Sequence, residues 1–139
     1  MPKRWDTAPS SIPATYCSLH TRALHDAVGG WPVEAIGWED WWYWVHCWML
    51  DPKVTYLDRE LLRYRIHAAS MTAKDVANKP QLYAMLRLAH PALYAEEQLA
   101  EDRAALRLIS PDLLARLRKR SEHFPYNHTL RAFLALSGA

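Results

Sequence analysis

The hydrophobic pattern is densest between residues 39 and 50, where apolar side chains recur at helical spacing in two stripes. One stripe contains Trp41, Trp44, Val45 and Trp48, and the other contains Trp42, His46 and Met49. A helix that is apolar on most of its faces must be largely buried. We therefore predict a buried helix over 39–50, ended by Asp51-Pro52, with most of these tryptophans in the core.

An alternating pattern predicts strands beside this helix. Residues 62–67 alternate between an apolar side and a basic side. The apolar side contains Leu62, Tyr64 and Ile66, and the basic side contains Arg63, Arg65 and His67. β-prone residues also predict short strands over 14–19 and 54–57. The predicted fold class is therefore α+β, mostly helical, with short mixed strands packed on the tryptophan-rich helix.

Capping residues predict the remaining helices. Thr21 is placed to cap a helix that runs to Val28, and Gly29-Gly30 can adopt the left-handed backbone that ends one. After residue 72 the pattern becomes helical, which suggests a mixed part over 1–72 and a helical extension over 73–139. The signals in this extension are a capping box at Thr72 and Asp75, helix starts at Pro80, Pro91 and Ser110-Pro111, and a last helix over 129–136.

The helix that follows Ser110 has an apolar side and a basic side. Its predicted inner residues are Leu113, Leu114 and Leu117, and its predicted outer residues are Arg116, Arg118, Lys119 and Arg120. Such a charge run is most often a solvated helix face. Contact with acidic lipid or nucleic acid is the alternative interpretation.

Composition narrows the class of protein. The chain has 139 residues, 50% hydrophobic and 23% charged, which suits one globular domain. A net charge of +2 does not argue for nucleic acid, so no nucleic-acid partner is expected. Cys17 and Cys47 show no metal-binding spacing, and no signal peptide is expected, because no apolar run follows the first residues. No apolar run is long enough to cross a bilayer, so a cytoplasmic location is expected. Peripheral contact with a membrane surface is compatible with that location.

Glu39 and Asp40 are the first candidate chemical groups. A carboxylate beside an apolar, tryptophan-rich wall can serve as a general base. The simpler interpretation is that both acids complement the positive end of the helix dipole. One acid can do this while its neighbour takes part in a reaction, so both interpretations stay open.

The basic side of residues 62–67 is the second candidate. Arginine matches phosphate oxygens, and histidine can contact a diphosphate or a metal ion. A solvated strand face is the alternative interpretation. Seven tryptophans could also supply a sugar-stacking surface. Trp31 and Trp38 are the best candidates for it, because they precede the acidic pair in predicted loops.

The order of these features resembles a known family. Residues 12–72 are similar to the second half of the catalytic domain of family 2 glycosyltransferases, which have the GT-A fold. The matching motifs are His20-Thr21-Arg22, Val28-Gly29-Gly30-Trp31, Gly37-Trp38-Glu39-Asp40-Trp41, Leu62-Arg63-Tyr64-Arg65-Ile66-His67 and Ser70-Met71. They cover less than half of the chain.

The resemblance implies an inverting transfer of a sugar from a nucleotide-sugar donor to the hydroxyl of an acceptor glycan or other acceptor. Asp40 would be the base, and Glu39 would hold the acceptor or orient the site. Trp38, Trp31 and Gly30 would contact the acceptor. His67 would face the donor diphosphate or its divalent metal, Mn or Mg, supported by Arg65, Arg63 and Tyr64.

The chain departs from the family in one large respect. A complete GT-A domain begins with a nucleotide-binding half that carries a DxD metal motif, and the sequence contains no DxD. The chain would then be truncated, or one half of a split enzyme whose partner chain supplies the donor side. The alternative is a non-catalytic carbohydrate- or protein-binding module derived from a glycosyltransferase.

Overall fold

The computed structural model describes residues 18–55, 57–63, 65, 67–70, 73 and 75–138. Their regular structure consists of six α-helices and one short 3-10 helix. The helices are α1 (Arg22–Val28), α2 (Glu39–Met49), α3 (Lys79–Ala89), the 3-10 helix (Pro91–Leu93), α4 (Glu96–Leu106), α5 (Pro111–His123) and α6 (His128–Leu136).

The helix ends follow the capping chemistry of the sequence. Thr21 Oγ1 accepts a hydrogen bond from the Leu24 amide at 3.2 Å, and Ser110 Oγ accepts one from the Leu113 amide at 3.2 Å. Gly29 ends α1 with φ 86°, a left-handed conformation that glycine adopts without a steric penalty. The predicted helices 21–28 and 39–50, and the predicted starts at Pro80 and Ser110-Pro111, are confirmed.

The core forms where the helices pack in pairs. α3 packs along α4, and α5 packs along α6. Buried leucines and Phe133 from these four helices surround Trp42 and Val45 of α2 in one hydrophobic cluster. A second, smaller cluster joins Tyr43, Trp44 and Cys47 of α2 to α1. The prediction that α2 is largely buried is confirmed, although Trp41 and Trp48 are only partly buried.

The α+β fold class is wrong for the described residues, which contain no strand. The predicted strand over 62–67 is absent at residues 62, 63, 65 and 67, and residues 64 and 66 lie outside the description. Residues 54, 55 and 57 are likewise exposed and irregular. Alternation describes one strand, whereas a strand persists only when a neighbour accepts its backbone hydrogen bonds. Of the strand predicted over 14–19, only residues 18 and 19 are described, and they are not in a strand.

Two further expectations about the helical part need correction. The single helix expected from Pro91 is divided into the 3-10 helix and α4, because Tyr94 takes an extended conformation between them. Arg116 is not on the solvated side of α5. Its guanidinium binds the buried carboxylate of Asp75 at 2.6 Å and also donates to the Ile36 carbonyl. Thr72 of the predicted capping box lies outside the described residues.

This Arg116 contact fixes the turn that leads into α2. A Cβ added to Gly37 would lie 3.0 Å from Arg116 Nη2 and 3.2 Å from Asp75 Oδ2. The buried ion pair therefore occupies the space beside Gly37, and only glycine fits there without displacement. Gly37 in turn sets the position of Trp38, the residue before α2. None of the described helices is long and apolar enough to cross a membrane.

Candidate functional site

Trp38 has an unusual backbone conformation. Its φ is 55° and its ψ is 43°, which is the left-handed region that a bulky L residue rarely adopts. This residue precedes α2 without offering a side-chain cap to it. A non-glycine residue in this region costs about 1–2 kcal/mol, and such costs concentrate at functional sites. The conformation therefore marks Trp38 as the first residue of a candidate site.

Three aromatic rings meet at this position. The Trp38 and Trp41 rings lie 5.7 Å apart at 22°, and Tyr83 of α3 stands edge-on to both, at 5.0 Å from Trp38 and 5.1 Å from Trp41. All three side chains are partly buried, so each keeps some contact with solvent. We call Trp38, Trp41 and Tyr83 the aromatic box.

Two carboxylates adjoin the aromatic box along the chain. Glu39 and Asp40 follow Trp38 directly and are partly buried. Asp40 Oδ1 accepts a hydrogen bond from the Trp41 amide at 2.9 Å, which is one of the free amides at the start of α2. That bond holds the Asp40 side chain beside the Trp41 backbone, while Oδ2 has no partner among the described residues.

Two cationic side chains of α3 lie near the aromatic box. Lys79 Nζ and the Arg87 guanidinium each lie 5.7 Å from the centre of the Tyr83 ring. Arg87 also forms a two-bond ion pair with Asp102 of α4 at 2.6 and 2.7 Å. Burial raises the pKa of Tyr83, so its hydroxyl stays protonated near neutral pH. The site therefore combines flat apolar surface with hydrogen-bond donors and acceptors.

Trp31 and Gly30 belong to a different cluster. Trp31 stacks on Tyr43 at 4.3 Å and 25°, and it remains about half exposed. Tyr43 Oη lies 3.1 Å from His25 Nδ1, beside Gly30. Burial, with a smaller effect from Cys47, raises the pKa of Tyr43 to about 12. The structure therefore separates these two predicted acceptor residues from the aromatic box, because Tyr43 projects from a different side of α2 than Trp41.

The residues predicted to face the sugar donor do not form a site with Glu39 and Asp40 in the described part of the chain. Arg63, Arg65 and His67 are exposed in an irregular segment, and Tyr64 lies outside the described residues. In the described part of the chain, no group of three or more His, Cys, Asp or Glu residues could hold a metal ion. The residues described around His67 thus do not fit a Mn or Mg centre.

The hydrophobic pattern indicates neither Tyr83 nor the contact between His46, which is partly buried, and His90, which is buried. Tyr83 carries no local signal, because its partners lie more than forty positions earlier in the chain. The His90 ring packs 4.7 Å from the His46 ring, and its Nδ1 donates to the Leu86 carbonyl at 2.7 Å. His90 Nε2 is buried without a partner among the described residues. Burial lowers the pKa of His90 to about 4, and burial also lowers the pKa of His46.

Comparison with known proteins assigns no function to this site. The chain matches no protein-family model, no curated protein and no solved structure. The interpretation of the site therefore depends on its own geometry and on the motifs of the sequence.

Proposed function

We propose that this protein binds a carbohydrate at the aromatic box. The observation that carries the proposal is the left-handed conformation of Trp38, which presents its ring beside Trp41 and Tyr83 and next to Glu39 and Asp40. A pyranose has an apolar C–H face and a rim of hydroxyl groups. Aromatic rings suit the face, and carboxylates accept hydrogen bonds from the rim.

The charge arrangement favours a neutral or weakly basic sugar. The nearest side chains along the chain are the two carboxylates, and the Arg87 guanidinium is already paired with Asp102. Lys79 is the one cation near Tyr83 for which no carboxylate partner lies within the described residues. A strongly anionic sugar would therefore meet at least as much repulsion as attraction at this edge.

Calorimetric titration with neutral disaccharides tests the proposal. We would use cellobiose, maltose, lactose and diacetylchitobiose with the full chain. At least one should bind, and Tyr83→Ala should weaken that binding about tenfold or more, as expected for an aromatic residue central to a binding surface. Trp31→Ala is the matched control, because Trp31 is exposed and lies in the other cluster. Equal losses in both variants, or no binding by the unaltered chain, would contradict the proposal.

A second candidate function is glycosyl transfer to the bound sugar. Asp40 favours it, because its carboxylate lies beside the aromatic box, where an acceptor hydroxyl would need a base. A nucleotide-sugar donor and its side of the site would then come from a partner chain. We assign no step to a metal ion, since the residues described around His67 do not fit one.

Asp40→Asn separates binding from transfer. The substitution keeps the shape of the side chain and its acceptor oxygen for the Trp41 amide, but it removes the basic group. Once a partner chain has been co-purified, the variant should bind sugar normally and lose transfer by about a hundredfold or more. Transfer at the unaltered rate would exclude Asp40 as the base, while the binding proposal would stand.

A further inference from the structure

A cleft of about 360 Å³ lies between α5 and the loop before α2, away from the aromatic box. Its lining residues are Ile36, Arg116, Lys119, Arg120, His123 and Phe124. The four basic residues occupy positions i, i+3, i+4 and i+7 of one helix, so they form a single stripe. Among the residues that the structure describes, no acidic side chain lines the cleft.

Two of these cations have no ion-pair partner within the described part of the chain. Arg116 is held by Asp75 and lies 3.8 Å from Asp112, so most of its charge is balanced. Lys119 and Arg120 make no ion pair or side-chain hydrogen bond with any described residue. Two unpaired cations that line one cleft repel each other, and an anion bound in the cleft relieves that repulsion.

His123 adds a third polar group to the cleft. Its Nδ1 donates to the Lys119 carbonyl at 2.8 Å, because a carbonyl can only accept. The other ring nitrogen is left for a ligand. Phe124 and Ile36 supply the apolar wall, with Phe124 37% exposed and Ile36 buried.

Stabilisation of the helix end does not account for the whole stripe. Cations in the last turn offset the negative end of the helix dipole, and Arg120 and His123 lie there. That effect fades beyond one turn, whereas Arg116 and Lys119 begin the stripe earlier in α5. The dipole corresponds to about half a charge, which Lys119 and Arg120 together exceed.

We propose that this cleft binds a phosphate ester or diphosphate with at least two negative charges and an apolar portion. The phosphate oxygens lie between Lys119 and Arg120, and the apolar portion lies against Phe124. Arginine and lysine both bind phosphate strongly through charge-assisted hydrogen bonds. The phosphate can belong to a soluble compound or to a lipid headgroup. The cleft shares no residue with the aromatic box, so this inference does not depend on the proposed carbohydrate binding.

Binding is measured with the full chain and four probes. The soluble probes are inorganic pyrophosphate and ADP, studied by calorimetry. The lipid probes are phosphatidylcholine vesicles containing phosphatidic acid, which has a phosphate monoester, or phosphatidylglycerol, which does not. Lys119→Glu with Arg120→Glu should weaken binding of the preferred probe by a hundredfold or more, at about tenfold for each lost contact. Arg118→Glu is the control, because Arg118 lies on the same helix but lines a different cleft.

The results of these measurements either support or contradict the proposal. Tighter binding of ADP than of pyrophosphate, sensitive to the double variant only, supports a soluble ligand that contacts Phe124. Binding confined to phosphatidic acid vesicles, with the same sensitivity, identifies a lipid headgroup. Equal binding to both vesicle types, equal losses in the double and control variants, or no binding to any probe would overturn the proposal. Circular dichroism of each variant confirms that the helices are retained.

Discussion

At the scale of single residues, Trp38 is the most informative position. The motif Gly37-Trp38-Glu39-Asp40 indicated that an aromatic residue and two acids adjoin a helix start, and α2 begins at Glu39 as expected. The sequence does not reveal that Trp38 is left-handed. That conformation is seen only in the structure, where the preceding residue, Gly37, packs against Arg116 and Asp75 from distant parts of the chain.

Replacing Trp38 tests this conformation through stability. Trp38→Gly and Trp38→Ala both remove the ring, but only glycine adopts φ near 55° without a penalty. We expect the glycine variant to be more stable than the alanine variant by about 1 kcal/mol, the reverse of the usual order beside a helix. Urea unfolding of both variants measures the difference. If alanine is the more stable replacement, Trp38 is not left-handed in solution.

His90 should make the stability of the protein depend on pH. Its pKa is lowered from 6.5 to about 4 by burial, so the unfolded chain takes up the proton more readily than the folded chain. Stability is therefore fully present above about pH 6.5, falls as the pH drops towards 4, and changes no further below that. The contribution of His90 to this fall is about 3 kcal/mol.

His90→Asn removes this titration while an amide can still donate to the Leu86 carbonyl. His46 has a lowered pKa too, with Glu34 acting against the effect of burial, so some pH dependence will remain. Urea unfolding at about pH 7.5 and about pH 5 should show that the variant loses less stability at the lower pH than the unaltered chain does. The same loss in both would show that His90 is not the group that titrates.

At the scale of elements, the helix caps can be predicted from the sequence, whereas the pairing of strands cannot. Thr21, Gly29 and Ser110 act within three or four residues of themselves, so their effect can be inferred from the sequence. The alternation over 62–67 was as clear as any cap, yet its described residues form no strand. Alternation is local, but the backbone hydrogen bonds that a strand needs come from another segment.

The ion pair between Arg87 and Asp102 joins α3 to α4. Both side chains are largely buried, at 14% and 3% exposure, and they share two hydrogen bonds. Asp102→Ala leaves the guanidinium buried without its partner, so we expect a loss of about 3 kcal/mol in the free energy of unfolding.

Asp26→Ala is the matched control for this prediction. Asp26 forms an ion pair with Arg22 in which both side chains are exposed. Such pairs contribute less than about 1 kcal/mol, so the control should barely change the unfolding midpoint. Similar effects of the two substitutions would show that the pair between α3 and α4 is solvated rather than buried.

At the scale of the whole molecule, the helices bring together residues that the sequence keeps apart. The α+β arrangement expected from the alternating pattern is not present in the described residues, and residues 63, 65 and 67 are exposed in an irregular segment there. In its place, packing of α3 on α2 brings Tyr83 to Trp38 and Trp41. The sequence predicts Trp38, Glu39 and Asp40 as site residues, whereas it predicts Trp41 only as part of a buried helix. Tyr83 could be found only from the packing.

In the proposed function, a sugar contacts the aromatic box. The most direct measurement follows the indole N–H resonances of the tryptophans in a two-dimensional N–H correlation spectrum while a disaccharide is added. Single Trp→Phe variants assign these resonances. We expect the Trp38 and Trp41 resonances to shift together and to saturate at one dissociation constant, while the Trp31 resonance stays in place. A shift of the Trp31 resonance alone, or of none of the three, would contradict the account.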